Sequence, residues 1–155
     1  ESERRALSVH YINGGFISLV EKEGLSRDTP IYGLEEKVIR GHSATTCCPR
    51  YGCSGSAFVD AIIGEDNVGP ATHMLSYTWS YRIGDIADTL MKWCGSAKPS
   101  LDPKRVYVWM CCVCVNQHWV RQAVRSGQDV PFEEFKRVFE GRVRSIGRVL
   151  ALMMP

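Results

Sequence analysis

His73-Met74-Leu75-Ser76-Tyr77-Thr78-Trp79 is dense in β-forming residues and is bounded upstream by Gly69-Pro70. It predicts a strand. Downstream, Ile83, Ile86, Ala87, Leu90, Trp93 and Cys94 recur at helical spacing, with Gly95 as a stop. Ser80 or Asp85 is a candidate cap for that helix. Residues 106–115 follow as an almost unbroken apolar run, the pattern of a strand buried on both faces. Asn116-Gln117-His118 ends it. Pro131 opens a second helix, with Glu133 and Glu134 where the helix dipole favours carboxylates. Phe132, Phe135, Phe139, Val143 and Ile146 form its apolar stripe, and Gly141 marks a point where it kinks or splits. Residues 149–153 read as a third buried strand.

Strands alternating with helices argue for right-handed crossovers and a parallel sheet. The last strand would be left uncovered at the chain's end, a liability for an apolar edge. The natural protein is therefore expected to continue past Pro155. The opening Glu1-Ser2-Glu3-Arg4-Arg5 has neither an initiator Met nor an apolar leader.

Upstream of residue 67 the pattern is weak and the punctuation dense. Gly14-Gly15, Asp28-Thr29-Pro30, Gly41, Cys48-Pro49, Gly52 and Gly55 all break regular structure. A short helix or hairpin is expected over 9–23, and a short apolar strand or helix over 57–63. The chain thus divides into an irregular N-terminal arm, 1–66, and an α/β unit, 67–155.

Composition excludes several classes. With 45% hydrophobic and 23% charged residues in 155, the chain is neither disordered nor collagen-like nor a coiled coil. No apolar run approaches a membrane span. Nineteen Lys and Arg against seventeen Asp and Glu give +2, too little to draw the chain onto nucleic acid or an anionic membrane. The seven cysteines are odd in number, which points to a reducing, cytoplasmic setting.

The stretch 73–79 resembles the first strand of TIR domains and of the related heterokaryon-incompatibility (HET) domains of fungi. Those strands run apolar-apolar-Ser-Tyr and then a polar or aromatic residue. Val108-Trp109-Met110-Cys111 through Val115-Asn116-Gln117 resembles the HET second strand, which ends Cys-apolar-Asn-Gln. The chain is most similar to a group of largely uncharacterised TIR-like proteins of unicellular algae. That similarity includes Gly64-Glu65-Asp66-Asn67-Val68-Gly69 and Gly84-Asp85-Ile86-Ala87-Asp88-Thr89-Leu90. The resemblance spans roughly 47–155 and implies a flavodoxin-like parallel sheet with the first of the three strands central. It also implies a signalling domain. Some TIR domains hydrolyse NAD⁺ at the nicotinamide–ribose bond, and others assemble through TIR–TIR contacts. The hydrolases use a Glu on a helix after the third strand. That helix would follow Pro155, so no catalytic residue is assigned and this chain alone is expected to be inactive.

Ligands of open parallel sheets bind beyond the carboxyl ends of strands. The candidate ligand-binding residues are therefore Ser76, Tyr77, Thr78, Trp79, Ser80 and Tyr81 after one strand and Asn116, Gln117 and His118 after the next. Their hydroxyls and amides suit ribose or phosphate, and Trp79 or Tyr81 suits stacking on a base. The bland alternative makes Ser76 a backbone partner, Trp79 core and Asn116 a cap. No Gly-x-Gly-x-x-Gly and no P-loop is present, and no resident cofactor is expected, NAD⁺ entering as substrate.

Cys47, Cys48 and Cys53 lack the second Cys pair of a zinc ribbon and are expected in a turn. Cys111, Cys112 and Cys114 on a strand would point to alternate faces, as reduced core thiols without metal. His118 has no nucleophile partner, and His10, His42 and His73 are isolated. Asp85 and Asp88 suit a helix start, and Arg137, Arg144 and Arg148 a solvated face. The partners left open are a nucleotide and a second copy of the domain.

Overall fold

The computed structural model describes residues 2–127 and 132–153. A five-stranded open sheet forms its centre, in the order β2-β1-β4-β3-β5. The strands are β1 (Arg5–Ser8), β2 (Val68–Pro70), β3 (His73–Ser76), β4 (Tyr107–Trp109) and β5 (Val149–Ala151).

β3 lies between β4 and β5 and is parallel to both, as expected for the first of the three predicted strands. His73 pairs with Val108, Met74 with Trp109 and with Val149, and Leu75 with Leu150. The sheet is not wholly parallel. β1 runs antiparallel to β2 and to β4, with Leu7 opposite Val68 on one side and Val108 on the other. The fold is therefore a mixed α/β one.

Residues 1–66 do not behave as an irregular arm. They supply β1 and two helices, α1 over 9–22 and α2 over 31–43. Ser8 is fully buried and starts α1, its Oγ accepting from the Tyr11 amide at 3.0 Å. Gly14-Gly15 does not break that helix but widens it into a π turn over Ile12–Phe16. Ala6, Leu7, Val9, Ile12, Phe16, Val20, Ile31 and Leu34 enter the same core as Met74, Ile86 and Val108. Residues 57–63, open between strand and helix, form a 3-10 turn at Phe58–Ala61.

The third helix, α3 (Ile83–Ser96), buries Ile83, Ile86, Ala87, Leu90 and Cys94 as the spacing predicts. Its N-cap is Arg82, without a side-chain cap bond, so neither Ser80 nor Asp85 serves; it also runs through Gly95. The first predicted strand stops at Ser76 rather than 79.

The run 106–115 is only briefly a strand. After Trp109 the chain turns into α4 (Cys111–Cys114), the Cys114 amide donating to the Met110 carbonyl at 2.9 Å. A continuous apolar run reads alike for a buried strand and a buried helical turn. A helix absent from the sequence expectation, α5 (Gln117–Arg125), follows at once. The last, α6 (Phe132–Ile146), passes Gly141 without interruption. The expected start at Pro131 lies outside the described residues.

β5 is not buried. It closes one edge of the sheet, with Val149 49% exposed and Ala151 also exposed. α1 packs on α3, α2 on α5, and α6 against β3. No helix among the described residues is long and apolar enough to cross a membrane.

Candidate functional site

Just past the carboxyl ends of β3 and β4 lies a cavity of about 330 Å³. Trp79 approaches it from the segment after β3, and Trp109 and Cys111 from the end of β4. Cys114, Val115, Asn116 and Gln117 carry its wall from α4 into α5. Trp119 and Val120 of α5 and Val138 and Arg142 of α6 complete it, with Glu3, Arg50 and Tyr51 arriving from the N-terminal half. Three indoles, one phenol ring and two guanidinium groups thus converge on one space.

Of the nine residues expected there, Trp79, Asn116 and Gln117 line the cavity. The two amides are committed to the protein. Asn116 Oδ1 caps α5, accepting from the His118 and Trp119 amides at 3.0 and 3.3 Å. Its Nδ2 donates to the Gly55 carbonyl at 2.8 Å. Gln117 Nε2 donates to the carbonyls of Cys111 and Val115. The bland alternative for Asn116, a cap on a turn, is met in part: it caps, and what it starts is a whole helix.

The other six lie off the cavity lining. Ser76 sits at the end of β3, where its carbonyl accepts from the Leu152 amide. Thr78 and Ser80 share a hydroxyl contact at 2.9 Å. The Tyr81 hydroxyl donates to the Leu152 carbonyl. His118 turns the other way, its Nε2 3.1 Å from Ser43 Oγ and its ring against Gly55. Gly55 has φ +93°, and a Cβ there would sit 3.0 Å from the imidazole, so both the turn and the ring demand glycine. Burial lowers the pKa of His118. Ser43 is itself buried, so the pair fastens α5 to α2 rather than presenting a nucleophile.

Tyr77 stands behind the cavity wall. Its Oη accepts from the Cys112 amide at 3.2 Å and lies 3.3 Å from Cys111 Sγ. Burial holds its hydroxyl well above the usual phenol range, so it stays protonated.

Charge at the cavity is set by Arg50, Arg142 and Glu3. Arg142 donates to the Glu3 carboxylate and holds Glu3 below the usual carboxylate range. Arg50 Nη2 donates to the Cys114 carbonyl at 3.3 Å. The Cys114 thiol is pushed up to about 12, chiefly by burial. The Trp109 indole nitrogen is buried without a hydrogen-bond partner.

The sequence missed the largest contributors. Trp109 and Cys114 lay inside the run assigned to a strand, and Trp119 lay in a helix unannounced. An N-cap signal was present, because Asn116 precedes a segment with Trp119, Val120 and Ala123 at helical spacing. Arg50, Tyr51 and Glu3 carried no local signal, since only the fold brings them here. The seven cysteines are unpaired thiols, and no group of three or more metal-ligating side chains is assembled among the described residues. No family model, no curated protein and no solved structure matches the chain.

Proposed function

We propose that this chain is part of a TIR-like signalling domain, flavodoxin-like in its β4-β3-β5 portion, whose cavity binds a nucleotide. NAD⁺ is the candidate ligand. The observation that carries this is the convergence of Trp79, Trp109, Trp119 and Tyr51 with Arg50 and Arg142 beyond the ends of two parallel strands. Indole faces stack on a base, and guanidinium groups suit phosphate oxygens. A cavity of about 330 Å³ is at the small end of ligand pockets, ~300–1,000 Å³, so it suits one base with its ribose better than a whole dinucleotide.

Cleavage of the nicotinamide–ribose bond needs a carboxylate free to face an oxocarbenium-like centre. Glu3 is the one carboxylate among the described residues lining the cavity, and its charge is already paired with Arg142. The chain is therefore expected to bind without cleaving.

The test titrates NAD⁺ and ADP-ribose into the protein while following tryptophan fluorescence, with nicotinamide release measured in parallel. Saturable quenching without nicotinamide is expected. Trp79→Ala should weaken binding roughly tenfold, since a stacked aromatic contributes ~1–3 kcal/mol. Absence of saturable binding would sink the nucleotide reading. It would leave self-association as an assembly module, which the exposed Val149 and Met153 beside the β5 edge, unpaired among the described residues, favour. Sedimentation velocity across a concentration series reads that outcome.

A further inference from the structure

Cys111-Cys112-Val113-Cys114 has the spacing of a C-x-x-C pair, and the structure changes what that spacing means. On an extended strand the first and last cysteines would face opposite sides. On α4 they are three residues apart within one helical turn and share a face. The cavity lining agrees with a shared face, because it includes Cys111 and Cys114 but not Cys112. The backbone around them is a closed turn, with the Val115 amide donating to the Cys111 carbonyl at 3.0 Å.

The two thiols differ as the partners in an exchange reaction must. Cys111 is partly exposed, and Cys114, in the same cavity wall, is buried at 2% exposure. Tyr77 Oη is 3.3 Å from Cys111 Sγ. That oxygen already accepts from the Cys112 amide, so its own proton is free to point at the sulfur. Burial keeps the Cys114 thiol protonated. Arg50 and Arg142 against the single carboxylate of Glu3, which pairs with Arg142, leave a net positive charge in the lining that favours an anionic partner, and the volume admits a small one.

We propose that Cys111 and Cys114 form a redox-active dithiol that exchanges with anionic low-molecular-weight disulfides in this cavity. The Cys111 thiolate attacks one sulfur of the disulfide R–S–S–R, forming a Cys111–S–S–R bond and expelling RS⁻. Cys114 sulfur then attacks Cys111 Sγ, closing the Cys111–Cys114 disulfide. The second RS⁻ leaves and takes the Cys114 proton. Two electrons pass from the protein dithiol to the external disulfide, which leaves as two thiols. This goes beyond nucleotide binding and needs only the two sulfurs and access to them.

The experiment equilibrates the reduced protein in mixtures of oxidised and reduced glutathione, quenches with acid, alkylates free thiols and maps the peptides. The expected result is a coupled loss of alkylation at Cys111 and Cys114 as the mixture becomes oxidising, with one peptide linked through both. Cys114→Ala should accumulate a single glutathione on Cys111, and Cys111→Ala should leave Cys114 unmodified. Cys53→Ser, in the exposed Cys47–Cys53 loop, should leave the transition unchanged. The proposal is overturned if both thiols stay fully alkylated in the most oxidising mixture, or if the linked peptide joins other cysteines. The wild-type map decides even if a variant fails to fold. It is read by mass, so it is independent of any nucleotide titration.

Discussion

β1 and β5 are both short strands, and they hold opposite places in the sheet. β1 lies between β2 and β4, its Ala6 and Leu7 at 0% and 1% exposure. Among the described residues β5 pairs with β3 alone, and its Val149 is 49% exposed. The other edge is blunted, because β2 ends in Pro70, which has no amide to offer a new strand. β2 is also pinned from above, where Gly69 lies so close under the Tyr107 ring that a Cβ would come within 2.6 Å of it. Stability is thus concentrated on the side that the N-terminal segment builds, and the β5 edge is held least.

The largest expected effect tests the tight side. Leu7→Ala empties a site packed against Val68 and Val108 and should cost about 3 kcal/mol of unfolding free energy in urea titration. A cost below about 1 kcal/mol would mean that β1 is an appended arm after all.

The next effect tests the stitch between the halves. Glu35 of α2 receives Arg40 at 2.6 Å and Arg121 of α5 at 3.1 Å, with its own side chain 8% exposed. Burial pushes its pKa up, and the two guanidinium groups outweigh that and hold it below the usual carboxylate range. A depressed carboxylate contributes stability that is present above its unfolded pKa and is lost as pH falls through the folded one. Glu35→Gln should cost ~2 kcal/mol near neutrality, after discounting the half-exposed Arg121 for screening. The penalty should shrink as the pH is taken below the ordinary carboxylate range. A variant equally destabilised at acid and neutral pH would contradict the ion-pair account.

The smallest effect tests the loose side. Val149→Ser should move stability by no more than about 0.5 kcal/mol, and the β5 amides should exchange hydrogen faster than those of β1. Equal protection in the two strands would erase the contrast.

The same contrast governs what the sequence made legible. The βαβ unit was readable because α3 spans four turns and its buried positions repeat, and because the β3 stretch is rich in β-formers. β1 and β2, at four and three residues, are too short to display alternation, and their pairing depends on partners some sixty residues away. The cavity followed the same rule. Trp79 and Asn116 were found because they follow strand-like runs. Cys111 and Cys114 were assigned to opposite faces because a continuous apolar run does not reveal where extended backbone yields to a helical turn. Arg50, Tyr51 and Glu3 reach the cavity only through tertiary packing, and nothing local marks them.

The proposed nucleotide would occupy the space enclosed by the indoles at the ends of β3 and β4. The chain has four tryptophans, and three of them, Trp79, Trp109 and Trp119, line that space. Trp93 instead packs edge-on to His73, 5.1 Å between ring centres, and serves as an internal control. The direct measurement is the indole Nε1–H region of a ¹⁵N-correlated NMR spectrum during titration with ADP-ribose. The resonances of Trp79, Trp109 and Trp119 are expected to shift along one saturating curve while that of Trp93 stays in place. Four unmoved indoles, or a shift confined to Trp93, would contradict it.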